Sequence, residues 1–119
     1  MHVNGNITAT IQIRTTTKNG IGENKQNWDT VGSVLGWLDY YTAYNEVNQY
    51  NAKIQDTTHI WICDVDKWNA SVQGQNVTSE NCRLIVKGNI YNVLLIDDPM
   101  ELHQHLEIFL KYIGGGLGV

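Results

Sequence analysis

The stretch from Cys82 to Asp97, CRLIVKGNIYNVLLID, commits this chain to antiparallel β-structure. Two runs rich in β-branched and aromatic residues flank Lys87-Gly88-Asn89, and glycine and asparagine tolerate the positive φ that a tight hairpin turn demands. Pro99 closes the second run, because proline cannot extend a hydrogen-bonded ladder. The same two-residue period recurs near the N-terminus. In NITATIQIRTT, Ile7, Ala9, Ile11 and Ile13 fall on one side, and Thr8, Thr10, Gln12 and Arg14 on the other, as in a half-buried strand. KNGIGEN follows as a loop carrying Gly20 and Gly22. A second, longer strand is predicted from Trp28 to Leu38. Gly32 and Gly36 inside it suggest bends or bulges, as where a sheet curls into a barrel.

KIQDTTHIWICDV predicts a third strand, and ELHQHLEIFLKYIGGG the last. In the last, Leu102, Leu106, Ile108, Leu110 and Tyr112 form the expected inner set, and His103, His105, Glu107, Phe109 and Lys111 the outer one. Between the second and third strands, YTAYNEVNQYNA and the preceding residue place Tyr40, Tyr44, Val47 and Asn51 at helical spacing, which fits one short helix and an extended loop equally. DKWNASVQGQNVTSEN reads as a polar excursion without periodicity. Its Trp68 is expected to be exposed and free to dock a partner, since tryptophan pairs a large apolar body with a polar N–H.

With 119 residues, the chain is expected to be one domain, 1–119, ending in a frayed glycine-rich tail at 114–119. Hydrophobic content of 42% against 17% charged places it among globular rather than disordered sequences. The formal charge is −4 and no basic run occurs, so DNA phosphates find nothing to grip. The N-terminus lacks the charged start and apolar core of a secretory signal, and no apolar stretch approaches the roughly 20 residues of a membrane span. A cytoplasmic protein without membrane contact is expected. Cys63 and Cys82 lie in apolar stretches and are expected to be buried free thiols rather than a disulfide.

The residues that could carry chemistry are few. His103, His105 and Glu107 would project from one face of a strand, and three such side chains can ligate a metal. They lie opposite the leucines, beside Lys111, with only His59 as a further internal histidine, so a solvated strand face or a subunit contact is the expectation. Asp64 and Asp66, like Asp97 and Asp98, sit where strand ends favour aspartate for backbone hydrogen bonding. No nucleophile elbow, phosphate loop, C-x-x-C or H-E-x-x-H motif is present. The expectation is a non-enzymatic chain with no catalytic, cofactor or metal residues.

Taken in order, these segments resemble the head–tail joining proteins of tailed bacteriophages, also called head-completion, adaptor or stopper proteins and found in prophages and phage-like elements. NGIGENKQNWDTVGSVLGW is similar to the family's glycine loop and tryptophan-bearing strand. LDYYTAYNEVNQYNAKIQDTTHIWICDV is similar to its acidic-aromatic segment running into a strand, with THIWI at the Thr-His position. RLIVKGNIYNVLLIDDP matches its strand, glycine turn and tyrosine-bearing strand followed by Asp-Pro, and HLEIFLKYIGG its closing strand. The chain departs at Cys63-Asp64, where the family places a basic residue, and in a longer excursion from Asp66 to Asn81.

The resemblance implies an all-β fold, a small six-stranded SH3-like β-barrel with a long loop between its second and third strands. It implies a monomer when free that joins a ring under the portal or adaptor, closes the DNA channel of the filled head and offers a docking surface to the tail-completion protein. Double-stranded DNA would pass without specific binding. The protein would be made in the bacterial host cytoplasm and end at the head–tail junction of a phage or phage-like particle. Tyr40, Tyr41, Tyr44, Val47 and Tyr50 would form the channel loop and subunit interface, with Trp68, His103 and His105 as candidate partner contacts, and His59 structural. Two other classes fit parts of the pattern: a cupin-like metal-binding barrel enzyme using His103, His105, Glu107 and His59, and an SH3-like peptide-binding module using Trp68 and the tyrosines.

Overall fold

The computed structural model describes residues 5–18, 20–22, 24–40 and 56–115. Its strands are β1 (Ile7–Lys18), β2 (Asn24–Tyr40), β3 (His59–Asp64), β4 (Cys82–Val86), β5 (Asn89–Asp97) and β6 (His105–Gly114). One helix, α1 (Val65–Ser71), follows β3, and a 3₁₀ turn spans Pro99–Glu101. Every pairing is antiparallel, and the order β1-β2-β3-β6-β5-β4 closes on itself as a barrel. Closure joins Ala9 to Val86 and Ile13 to Cys82, so the first strand seals against the fourth. A closed sheet leaves its barrel strands without open edges, which removes the usual route to edge-to-edge aggregation.

The alternation read from β1 is the alternation of the barrel wall. Ala9 and Ile11 are fully buried and face Val86 and Leu84 across the ladder, while Arg14 and Thr16 are exposed. Trp61, Cys63, Leu84, Ile108 and Leu110 are likewise fully buried in one contiguous core. Each large side chain so enclosed stabilises the fold by about 1.5–3 kcal/mol. In β6 the inner set holds at Leu106, Ile108 and Leu110. It fails at both ends. Leu102 lies before the strand and is 59% exposed, and Tyr112 is 44% exposed where the strand leaves the barrel. Phe109, assigned to the outer face, is buried, paired between Ile60 and Leu95 of the neighbouring strands.

The central hairpin is as tight as CRLIVKGNIYNVLLID demands. Lys87 and Gly88 both adopt positive φ, 52° and 80°, between the paired residues Val86 and Asn89. Two left-handed residues between paired strands match the twist of a hairpin. Lys87, not Asn89, joins Gly88 in the left-handed region; Asn89 already belongs to β5. β3 is shorter than its sequence pattern, beginning at His59, whereas β1 and β2 are longer and continue past the barrel as a two-stranded arm.

Two glycines of β2 let other elements approach. Opposite Gly32, the register slips between Ile11 and Gln12, leaving Val31 as the extra residue of a bulge. A Cβ on Gly32 would run into the Ser71 carbonyl at the end of α1. A Cβ on Gly36 would lie 2.7 Å from Cζ2 of Trp61 and meet the Ile62 carbonyl oxygen as well. The largest ring of the core therefore rests on bare backbone.

The excursion after β3 is not irregular at its start. Asp64 enters α1 in extended conformation, Asp66 places a carboxylate in the first turn, and Val65 and Trp68 bury one face. Seven residues are too few for a visible helical period, so the sequence reading missed it. Trp68 corrects a second expectation: it is 4% exposed, buried in the same core cluster as Val34 and Trp61, not presented to solvent. Lys67 Nζ lies 3.7 Å from the Asp64 carboxylate, and Ser71 Oγ lies 2.6 Å from the Ser33 carbonyl, tying the helix to β2.

Gly36→Ala is expected to destabilise the protein by about 1–3 kcal/mol, the usual cost of overpacking a filled core. Gly114→Ala, in a strand position with nothing within 4 Å of the added carbon, should be neutral or slightly stabilising. Urea unfolding midpoints of the two variants check the contrast.

Candidate functional site at the aromatic end of the barrel

The end of the barrel away from α1 is built from rings. β2 terminates at Tyr40, which pairs directly with His59 at the start of β3. Tyr91 of β5 pairs with Tyr112 of β6. The two pairs meet at His59. Its imidazole centroid lies 4.8 Å from the Tyr40 ring, 5.0 Å from Tyr91 in an edge-on arrangement, and 6.4 Å from Tyr112. Tyr91 and Tyr112 are 5.7 Å apart, again near edge-on. Separations and tilts of this kind suit the quadrupoles of aromatic rings. Exposure is graded across the group: Tyr91 is 3% exposed, Tyr112 44% and Tyr40 85%. A fixed base thus carries a face open to solvent.

Thr58 locks the group to the barrel. Its amide donates to the Leu110 carbonyl at 2.8 Å, and its hydroxyl oxygen accepts the Tyr112 amide at 2.8 Å. The same hydroxyl lies 2.8 Å from Nδ1 of His59. Its proton can go to that nitrogen when the imidazole is neutral, which orients the ring. Burial pushes the His59 pKa below its ordinary value of 6.5. Burial also raises Tyr91, with smaller contributions from Tyr112 and Tyr40 against an Asn89 hydrogen bond.

This end is also where the long connection departs and returns, from Tyr40 to Asp56. Of the channel-loop residues expected from the sequence, Tyr40 is placed, at the last position of β2 and against His59. Tyr41, Tyr44, Val47 and Tyr50 lie outside the described residues, as does the expected short helix. Sequence reading named His59 as structural but did not see that it joins Tyr91 and Tyr112, because the three stand on different strands. The signal available was their common nearness to strand ends beside the long loop.

The other expected contacts lie at the opposite end and are dispersed. His103 has φ of 55° and precedes β6, so it does not share a strand face with His105. It bonds Asp98 through its backbone amide, at 3.0 Å to Oδ1, and through its ring. His105 Nε2 sits 3.2 Å from Glu107 Oε2. Each imidazole thus faces a carboxylate of its own. Among the described residues, no group of three or more histidine, cysteine or acidic side chains is placed to hold a metal ion. Both cysteines are free and buried, and burial lifts each thiol to about 12. No helix of the described residues is long and apolar enough to cross a membrane.

Residues 4–112 match the family of phage head completion proteins. The chain belongs to that family. As a head completion protein it has a structural role in the phage head, in agreement with the resemblance carried by its segment order. The solution structure of protein SF1141 from Shigella flexneri 2a is similar in fold, with a TM-score of 0.63 at 17% identity, covering 98% of this chain and 97% of that one. At such low identity the likeness speaks for the fold alone. No curated protein matches.

Two outcomes test the chemistry of these histidines. The unfolded chain protonates His59 near its ordinary value, whereas the folded chain resists protonation. Stability therefore falls as pH drops from that value through the lower folded one. The thermal midpoint should decline between about pH 7.5 and 5.5, and His59→Phe should decline less over the same interval. Replacing His103 and His105 together by alanine should change stability by no more than about 1 kcal/mol. Stoichiometric zinc or iron in the purified protein, lost in this double variant, would instead establish a metal site.

Proposed function

We propose that this head completion protein acts as a non-enzymatic ring subunit at the portal vertex. It joins the portal or adaptor ring, closes the DNA channel of the filled head and presents the surface on which the tail-completion protein docks. The observation that carries this reading is the family match over nearly the whole chain, together with a long connection that leaves and re-enters the barrel through an aromatic end.

The charge balance supports it. With a formal charge of −4 and no basic run, the chain offers moving DNA no phosphate grip, as a conduit requires. The segment 41–55 is longer than a plain hairpin connection needs, and Tyr41, Tyr44, Val47 and Tyr50 within it supply apolar and aromatic surface. In this reading they line or close the channel, and Tyr40 on its His59 support sets where the segment starts. The free chain is a monomer, one domain made in the host cytoplasm and carried in the particle. Subunit contacts can each be weak, because docking one copy raises the effective concentration of the next.

Deleting the gene from its element should yield DNA-filled heads without tails, many of them leaking their DNA. Full heads with tails attached in normal numbers would overturn the proposal. Replacing Tyr44 and Tyr50 by glycine should leave the thermal midpoint of the free chain unchanged and reproduce the leakage, read as nuclease-sensitive DNA in purified heads.

A further inference from the structure

The arm formed by β1 and β2 is long, pinned at its root and without a third strand beyond the barrel. The β1–β4 ladder ends at Ile13, and β2 pairs with β3 only from Trp37 onward. Among the described residues, the arm past Ile13 therefore has strand partners on one side alone, through to Lys18 paired with Asn24. A bare two-stranded ribbon is marginal in water, and an uncovered edge invites other chains. This arm is nevertheless pinned at its root. The Arg14 amide donates to the Asn81 carbonyl at 2.7 Å, and its guanidinium to the Glu80 carbonyl at 3.1 Å. The Arg83 guanidinium lies 4.2 Å over the Trp28 ring, while its Nε donates to Gln12 at 2.8 Å. Contacts of this kind fix where the arm points without covering it.

A second exposed surface stands across the barrel. In the closed order β1-β2-β3-β6-β5-β4, the β5–β6 pair is diametrically opposite the β1–β2 pair, and the β5–β6 connection emerges at the same end as the arm. That connection presents Met100, 87% exposed, and Leu102, 59% exposed. The stretch from Asp97 to Glu107 around them has four acidic residues and no lysine or arginine. The arm differs in both respects. Residues 14–29 carry Arg14, Lys18 and Lys25 against Glu23 and Asp29, a net positive segment on a chain of −4, and Ile21 near its tip is 80% exposed.

The geometry points to a head-to-tail contact between copies: the β1–β2 arm of one subunit lies on the β5–β6 connection of its neighbour, around Met100 and Leu102. This rests on the ring proposed above and names its joining surfaces. Different patches on opposite sides of one subunit make a heterologous interface, the kind that closes into a ring. Apolar residues meet at the centre, and an arm of net charge +1 meets a connection with four acidic residues, so the contact weakens as salt rises.

The test uses DNA-filled heads from the gene-deleted element, loaded with purified chain. A Gly20→Cys, Met100→Cys variant is loaded and oxidised with copper phenanthroline. The native thiols are buried and give no background. A ladder of disulfide-linked multimers is expected on a non-reducing gel, with no ladder from either single variant. In a second arm of the experiment, Asn-Gly replaces residues 16–26 so that Thr15 and Asn27, already paired, flank a tight turn. This chain should keep its thermal midpoint but load onto heads at least tenfold less. Loading equal to wild type, or loaded double-cysteine chain without a ladder, overturns the arm contact while leaving the head-completion reading intact. Failure of the wild-type chain itself to load overturns that reading, and the arm contact with it.

Discussion

The barrel depends on one close approach, the Trp61 indole laid on the backbone of Gly36. Trp61 is fully buried, and truncating such a residue costs about 3–5 kcal/mol in a packed core. Its position is possible because β2 has no side chain where the ring must lie. Gly36 also faces Gly5, whose own added carbon would collide with it, so the N-terminal approach to β1 shares the same gap. Pull β3 away from β2 by the width of a methyl group and three things shift together: the ring that fills the interior, the β2–β3 ladder, and the Tyr40–His59 pair two residues further along. The aromatic end is thus positioned by a contact that takes no part in it.

Much of the wall was legible in the sequence because strand alternation is local. Ile7 to Ile13 announced their faces through a two-residue period, as did Leu106, Ile108 and Leu110, whereas Phe109 between them is buried against the alternation. The Lys87-Gly88 turn was legible for the same reason, although asparagine's tolerance of positive φ pointed one residue too far. Gly32 told where the ladder would bulge, but neither it nor Gly36 told what would come to rest there. That information lies in Ser71 and Trp61, far along the chain.

What sequence reading missed has physical causes. α1 is too short to show a period, so the polar residues around Trp68 masked a side chain that joins the core. His103 and His105 looked like neighbours on a strand because their spacing is two. The left-handed backbone at Met100, Glu101 and His103 breaks that strand before it starts, and each imidazole turns to its own carboxylate. The His59 cluster was invisible for the opposite reason. Its members never adjoin in sequence and come together only when β6 pairs with both β3 and β5.

Closure also governs how the chain reaches this state. The seam joins Ala9 of the first strand to Val86 of the fourth, and β3 waits for β6, which is made last. Besides the β1–β2 and β4–β5 hairpins, only the β5–β6 pair joins consecutive strands across a short connection. Topologies dominated by distant pairings search longer before any contact repays the lost chain entropy, and fold over milliseconds to seconds rather than microseconds. The two hairpins are the natural nuclei, and the ring of strands is sealed last. A head completion subunit would then have to be stockpiled in finished form, since folding by such a topology is slow on the timescale of a collision.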